Sequence, residues 1–306
     1  RDSHAQVSRV SLEVAMQERT VWQVDAFTTI AFTGNPAGVV YPCDGLTEDE
    51  MLKISRELNN SETAFIQKLD RTDTQHIRFF TPKQEVPLCT HAAVASYHIL
   101  ATRLGLKAGE HHLHCKAGLL PVGVEQSASH PNIRVTQKEG HFGPLLSESQ
   151  NRKLREALQL DASSFYEELP VQIVSTGNAK ILAGLKSKAE LDSIKIRREI
   201  LVALGEELGV SGLYLFTFDQ GSEEITAHTR MFSPGSGVEE DPVTGNAAGA
   251  LALYLNRYTN RVPDLRASFM QGEAMGRQGL VHVQVNQLFA TVLGQACTVF
   301  ETHLYV

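Results

Sequence analysis

Cysteine is scarce in this chain, and what there is of it is scattered. Only four thiols, Cys43, Cys89, Cys115 and Cys297, occur in 306 residues, and no two form a CxxC pair. A disulfide framework and a paired-cysteine zinc site are therefore disfavoured. With no secretory leader either, a reducing, cytoplasmic setting is expected. An excess of positive charge is also missing. Against 35 acidic residues stand 28 basic ones, a formal charge of −7, which disfavours nucleic acid or an anionic membrane as the main partner. No apolar run approaches the ~20 residues that a bilayer-spanning helix needs. His111-His112-x-His114 comes without an HExxH pattern and reads as a solvated strand end rather than a metal site. Gly235-Ser236-Gly237 lacks the spacing of a nucleophile elbow. No low-complexity linker interrupts the chain.

What is present is ordinary for a globular enzyme: 42% apolar and 21% charged residues, in a length that favours two domains. Residues 1–15 are polar and patternless and end just before Met16, so we read them as a leader or extension outside the fold. Residues 16–140 form the expected N-terminal half and 141–306 the C-terminal half, with the last strand a candidate to rejoin the first. Strands are expected at 21–27, 37–41, 63–67, 76–80, around 113–125 and at 133–136. Others are expected at 171–175, 180–185, 213–218, 225–231, 267–269, 281–285 and 290–306. Helices are expected after the Thr47/Glu50 capping box, at 149–158 and at 195–208. Two further helices, at 91–104 and 246–255, carry Ala92-Ala93-Val94-Ala95 and Ala247-Ala248-Gly249-Ala250 and are slim enough to be wrapped on all sides.

The halves repeat each other. Gly34-Asn35-Pro36-Ala37 answers Gly177-Asn178-Ala179-Lys180, and Ser61-Glu62-Thr63 answers Ser211-Gly212-Leu213. Arg78-Phe79-Phe80-Thr81-Pro82 answers Arg230-Met231-Phe232-Ser233-Pro234, and Thr90-His91-Ala92 answers Gly245-Asn246-Ala247. Such a duplication puts two helix N-termini near a pseudo-twofold axis. Their unpaired N–H groups and positive dipole ends suit a carboxylate.

These segments resemble the PhzF phenazine-biosynthesis family, which shares the fold of diaminopimelate epimerase. The resemblance runs from Val21 onward, strongest at Asp25-Ala26-Phe27 with Gly34-Asn35-Pro36, at Ser61-Glu62-Thr63-Ala64-Phe65, at Phe80-Thr81-Pro82 with Glu85-Val86-Pro87, and at Glu240-Asp241-Pro242-Val243-Thr244-Gly245-Asn246-Ala247. It implies an α+β fold of two pseudo-symmetric halves, each a curled, mostly antiparallel sheet around a central helix. It also implies an isomerase that needs no metal, nucleotide or flavin, with Glu62 as acid/base, assisted by His91 and Asp241. The substrate would be a small carboxylate-bearing molecule contacted by Asn35, Thr90, Gly245 and Asn246. We expect a homodimer. The chain departs from the family at Thr90, where the pattern has glycine, and at Asn246, where serine is frequent.

The repeat adds to this. Glu62 lies between a helix end and the apolar run Ala64-Phe65-Ile66, where desolvation would raise its pKa into the range of a carboxyl that both takes and returns a proton. Its counterpart is Gly212, so the site has one such carboxylate, which suits isomerisation better than inversion. Two rivals remain. Cys89 stands where epimerases of this fold keep a thiol base, though its partner position holds Thr244. Alternatively, the cleft is vestigial and the protein works by binding a partner.

Overall fold

The computed structural model describes residues 18–69, 73–127 and 130–306. The expected extension at 1–15 and the expected start at Met16 lie outside the described residues. The chain begins with β1 (Glu18–Ala26), β2 (Asn35–Tyr41), α1 (Glu48–Leu58), β3 (Glu62–Ile66), β4 (Thr74–Phe80) and β5 (Glu85–Val86). It continues with α2 (Thr90–Thr102), β6 (Gly109–Cys115), β7 (Gly118–Glu125), β8 (Asn132–Thr136), β9 (His141–Leu145) and α3 (Glu148–Leu158). Next come β10 (Gln172–Ser175), β11 (Lys180–Leu185), α4 (Lys188–Ser193), α5 (Arg198–Leu208), β12 (Gly212–Thr217) and β13 (Ala227–Ser233). The last elements are β14 (Val238–Asp241), α6 (Gly245–Tyr258), β15 (Arg266–Gln271), β16 (Gly279–Asn286), β17 (Phe289–Gly294) and β18 (Ala296–Tyr305).

The strands form one continuous path, and it is a palindrome. From one end it runs β18-β1-β2-β3-β4-β6-β7-β8. Antiparallel pairing of β8 with β17 joins this to β17-β16-β15-β13-β12-β11-β10-β9. Parallel steps fall at matching places, β2–β3 and β4–β6 on one side and β11–β12 and β13–β15 on the other. The short strands β5 and β14 hang on β4 and β13. The fold is therefore the expected α+β, diaminopimelate-epimerase-like arrangement.

Each element reflects its sequence. Thr47 and Glu50 form the reciprocal capping box that starts α1, whose buried face is Met51, Ile54 and Ser55. Left-handed Asn59 ends it and turns the chain straight into β3. Every residue of α2 from Thr90 to Leu100 is buried, as its small, apolar composition requires. In α6, Ala247 through Leu255 are likewise buried. One core cluster joins both central helices to the inner strand faces, while α1 and the α3/α5 pair each cover a smaller outer core. Among the described residues no helix is long and apolar enough to cross a membrane.

Four details differ from expectation. The stretch 113–125 is the hairpin β6–β7, turned at Lys116-Ala117 with Gly118 at φ 107°. The helix expected at 195–208 starts only at Arg198, behind the separate α4. Strands β5, β9 and β14 were not expected. The strand expected over 290–306 breaks at Gln295, because β17 pairs with β16 and β8 whereas β18 crosses to β1.

Candidate active site

Matched salt bridges shape the strands that lead into the site. Arg78 on β4 grips Glu85 on β5 through Nε and Nη2, at 2.8 and 3.0 Å. Arg230 on β13 grips Glu240 on β14 in the same two-pronged way, at 2.8 and 2.9 Å. Glu240 immediately precedes Asp241, so this clamp sets where that carboxylate stands. Asp25 does similar service for the loop after β1, accepting from Arg277 Nη2 and from the Phe32 N–H, each at 2.7 Å.

Glu62, His91, Asn35 and Asp241 come together although they sit on β3, α2, β2 and β14. The Nε2 of His91 is 3.5 Å from a Glu62 carboxylate oxygen and 3.4 Å from Ser61 Oγ. Its Nδ1 faces Cys89 Sγ at 3.3 Å and Asn35 Nδ2 at 3.2 Å. Asn35 is fully buried, and its amide donates to Asp241 Oδ1 at 2.8 Å and to the Val243 carbonyl at 2.7 Å. The other oxygen of Asp241 accepts from Thr244 Oγ1. Thr90, Gly245 and Asn246 adjoin this group at the starts of α2 and α6.

Burial dominates the electrostatics. It raises the Glu62 carboxyl above its ordinary pKa, against hydrogen bonds from Ser61 and Cys89. Burial also raises Asp241, helped by the nearby charge of Glu62 and opposed by His91. His91 is held below its ordinary value by burial, with Asp241 pulling the other way. A cluster whose members are all pushed toward neutrality can exchange protons cheaply. Glu62 itself keeps 21% of its side chain exposed, so the group with the raised pKa is also reachable.

The helix starts have features of their own. Cys89 and Thr244 are the N-cap residues of α2 and α6, and neither gives its helix a side-chain cap. The hydroxyl of Thr244 is turned to Asp241 instead. First-turn N–H groups without a side-chain cap favour an anion. Thr90, the departure from glycine, donates to Gln137 Oε1 at 3.2 Å, and Asn246 Nδ2 lies 3.3 Å from the same oxygen. A Cβ on Gly245 would meet the Phe27 ring and the Thr90 methyl, each at 2.8 Å. Gly245→Ala is therefore expected to destabilise the fold by about 1–3 kcal/mol through overpacking, which outweighs any gain in helix propensity at a first position. A urea midpoint equal to that of the unaltered protein would refute this.

The described residues include several that sequence reasoning did not single out. Gln137, just past β8, links the starts of both central helices. Gln271, the last residue of β15, donates to the Asp241 carbonyl at 2.8 Å and accepts from the Thr244 N–H at 3.0 Å. Each is a single amide at a strand end, a signal too common to select. Cys89, at the place of the rival thiol base, is buried, and its sulfur lies within the cluster. Donor atoms of Glu62, Cys89 and His91 all lie within 4.8 Å of one another, a spacing that could hold a metal ion. A thiolate there is opposed by burial and by the charge of Glu62, which push the Cys89 thiol well above its ordinary pKa. The His111–His114 run does not converge: His111 is buried against the Lys107 carbonyl at 2.8 Å, while His112 and His114 are exposed.

Comparisons with known proteins give the family. A family model described as "Phenazine biosynthesis-like protein", PhzC-PhzF, matches residues 24–302. An uncharacterized isomerase of Clostridium acetobutylicum is 39% identical, the match covering 94% of this chain and 99% of that protein. A trans-2,3-dihydro-3-hydroxyanthranilate isomerase of Pseudomonas chlororaphis is 28% identical, over 84% of this chain and 87% of its own. The crystal structure of a Bacillus anthracis phenazine biosynthesis protein of the PhzF family superposes with a TM-score of 0.85. It is 27% identical and is matched over 95% of this chain and all of its own. The chain is thus a member of the PhzC-PhzF family, and an isomerase.

Proposed function

We propose that the chain moves a proton between two carbons of a small cyclic substrate bearing a carboxylate, with Glu62 as acid and base. The observation that carries this reading is the asymmetry of the duplicated site. On the parallel pair β2–β3, Ala37 stands opposite Glu62, whereas on β11–β12 the matching pair is Lys180 opposite Gly212. A single partly exposed, desolvated carboxylate takes a proton and returns it from one side, which shifts a double bond without inverting a centre.

In the ionised form Glu62 removes a C–H proton, and the electron pair moves into the adjoining π system. Protonated Glu62, partly exposed, exchanges its proton with solvent and then delivers one to a second carbon, and the base is regenerated. The substrate carboxylate would sit at the starts of α2 and α6, near Thr90 and Gly245. Its charge would lie beside the C–H bond to be broken, while the buried Oδ1 atoms of Asn35 and Asn246, which have no donor among the described residues, would accept from a substrate hydroxyl or amine. His91, kept neutral by burial, donates from Nε2 toward Glu62 or the substrate. The relatives named trans-2,3-dihydro-3-hydroxyanthranilate isomerase make that dihydro acid the first substrate to try.

The test is turnover in D2O. With this substrate, or with another dihydro-aromatic or cyclic hydroxy acid, one carbon-bound deuterium per turnover is expected. Product formed with no solvent deuterium at any carbon, or no turnover of any member of the panel, would overturn the reading. The pH profile gives a second check. Only ionised Glu62 is a base, and its pKa is raised, so kcat/KM should fall on acidification at a pH above the ordinary carboxylate range. Folding responds with the opposite sign. In that window folded Glu62 and Asp241 retain protons that the unfolded chain has released, so stability falls as pH rises through their raised values.

A further inference from the structure

Lys180 is the charged group that the proton transfer leaves unused. It opens β11 with 3% of its surface exposed, in an apolar run that continues Ile181-Leu182-Ala183. Alternation along the strands fixes which way it points. Leu182, Tyr214 and Met231 belong to the central core around α6, while Ile181, Leu213 and Phe232 belong to the outer core under α5. Lys180 shares the face of Leu182, as Glu62 shares the face of Ala64 and Ile66 beside α2. Its methylenes lie over Gly212, where an added Cβ would come 2.5 Å from Lys180 Cδ. Glycine at the counterpart of Glu62 thus makes room for a lysine that has come in from the next strand.

The amine is poorly satisfied. Its nearest acceptors are the Ala179 and Asn178 carbonyls at 3.3 and 3.5 Å, and among the described residues it has no ion pair. Those carbonyls belong to the loop after β10 whose Thr176 bonds the Asn246 side chain, so the amine lies on the α6 side of the cleft. A buried ammonium with two long hydrogen bonds is expensive to keep. A methionine would fill the same space without that cost.

We propose that Lys180 is the cation of the cleft, pairing with the substrate carboxylate from the second half while Glu62 works from the first. The inference rests on the carboxylate-binding reading above and adds the residue that recognises the charge. Burial lowers the amine's pKa to about 8, opposed by Asp241, so it is still mostly charged at neutral pH. An entering carboxylate supplies the ion-pair partner that the residue lacks. Substrates whose acid group is masked as an amide or ester should be excluded for want of that pairing.

The experiment compares 3-hydroxyanthranilate with its carboxamide by calorimetry, using the full chain and Lys180→Met. The unaltered protein is expected to bind the acid at least tenfold more tightly than the amide. Lys180→Met, with thermal stability equal or higher, should shrink that preference to about twofold or less. A second measurement, independent of how the variant folds, uses the unaltered protein. The Lys180 ε-carbon NMR signal should titrate at higher pH with the acid bound, and be unmoved by the amide. A preference kept in full by Lys180→Met, or a Lys180 signal indifferent to the acid, overturns the role of Lys180 and leaves the carboxylate cleft standing. An unaltered protein that does not distinguish acid from amide overturns both.

Discussion

Glu62→Gln is expected to lower kcat by about 10³-fold or more while leaving the fold and KM within a few-fold of the unaltered protein. Glutamine has nearly the shape of glutamate and can still accept from Ser61 or Cys89, which both donate to the carboxylate. What it lacks is a site for the proton. With Gly212 at the mirror position, the second half offers no counterpart of Glu62 to stand in. The companion variant is Cys89→Ser, expected to keep most of its turnover. The thiol is held protonated by burial and by Glu62, and its counterpart Thr244 is engaged with Asp241. A thiol-based epimerase would invert the order, with Cys89→Ser dead and Glu62→Gln merely impaired. Deuterium incorporation by both variants on one substrate decides between them.

Asp241→Asn should cost about 10²-fold in kcat for a different reason. An asparagine oxygen can still accept from Asn35, and its amide can turn to Thr244 Oγ1, so the framework survives. The charge does not. Asp241 supports a proton on His91 and disfavours a second negative charge on Glu62. Removing it leaves the imidazole a weaker proton carrier and lets Glu62 ionise more easily, which makes it a poorer base. The same variant should be more stable than the unaltered protein at pH 8 and lose that advantage toward pH 4, because a buried carboxylate with a raised pKa opposes folding only when ionised. Unchanged turnover would place Asp241 outside the reaction, and unchanged stability at both pH values would refute its desolvation.

The repeat was legible because it is written in residues with strong local rules. Gly34-Asn35 and Gly177-Asn178 mark turns, Arg78 and Arg230 mark matched strands, and runs of alanine mark the two helices that must be thin. Glu62 could be chosen because the family resemblance and the repeat single it out; a glutamate that flanks a helix is by itself most often a surface residue. Lys180 was written into the same alignment opposite Ala37, yet a lysine beside a turn looks like surface until the strand is seen to be buried on both faces. Gln137 and Gln271 had no signal at all, since their role depends on which strand ends meet. The break at Gln295 was hidden for a related reason. Both β17 and β18 read as strand, and only the pairing partners tell that the chain changes sides between them.

That change of side bears on how the protein is made. Strand β1 lies between β2 and β18, and its Trp22 indole donates to Glu301, 279 residues further on. A ribosome adding roughly 5–20 residues per second needs on the order of tens of seconds to cover that distance. Throughout that interval one whole edge of β1 is without its partner and open to pairing with another nascent chain. The remedy is built into the register, because Glu18 and Tyr305 are direct neighbours across the two strands. A permuted gene that encodes residues 296–305 first and runs through a short hairpin into β1 would close that edge at the outset, and should express with less aggregation from an otherwise unaltered set of contacts.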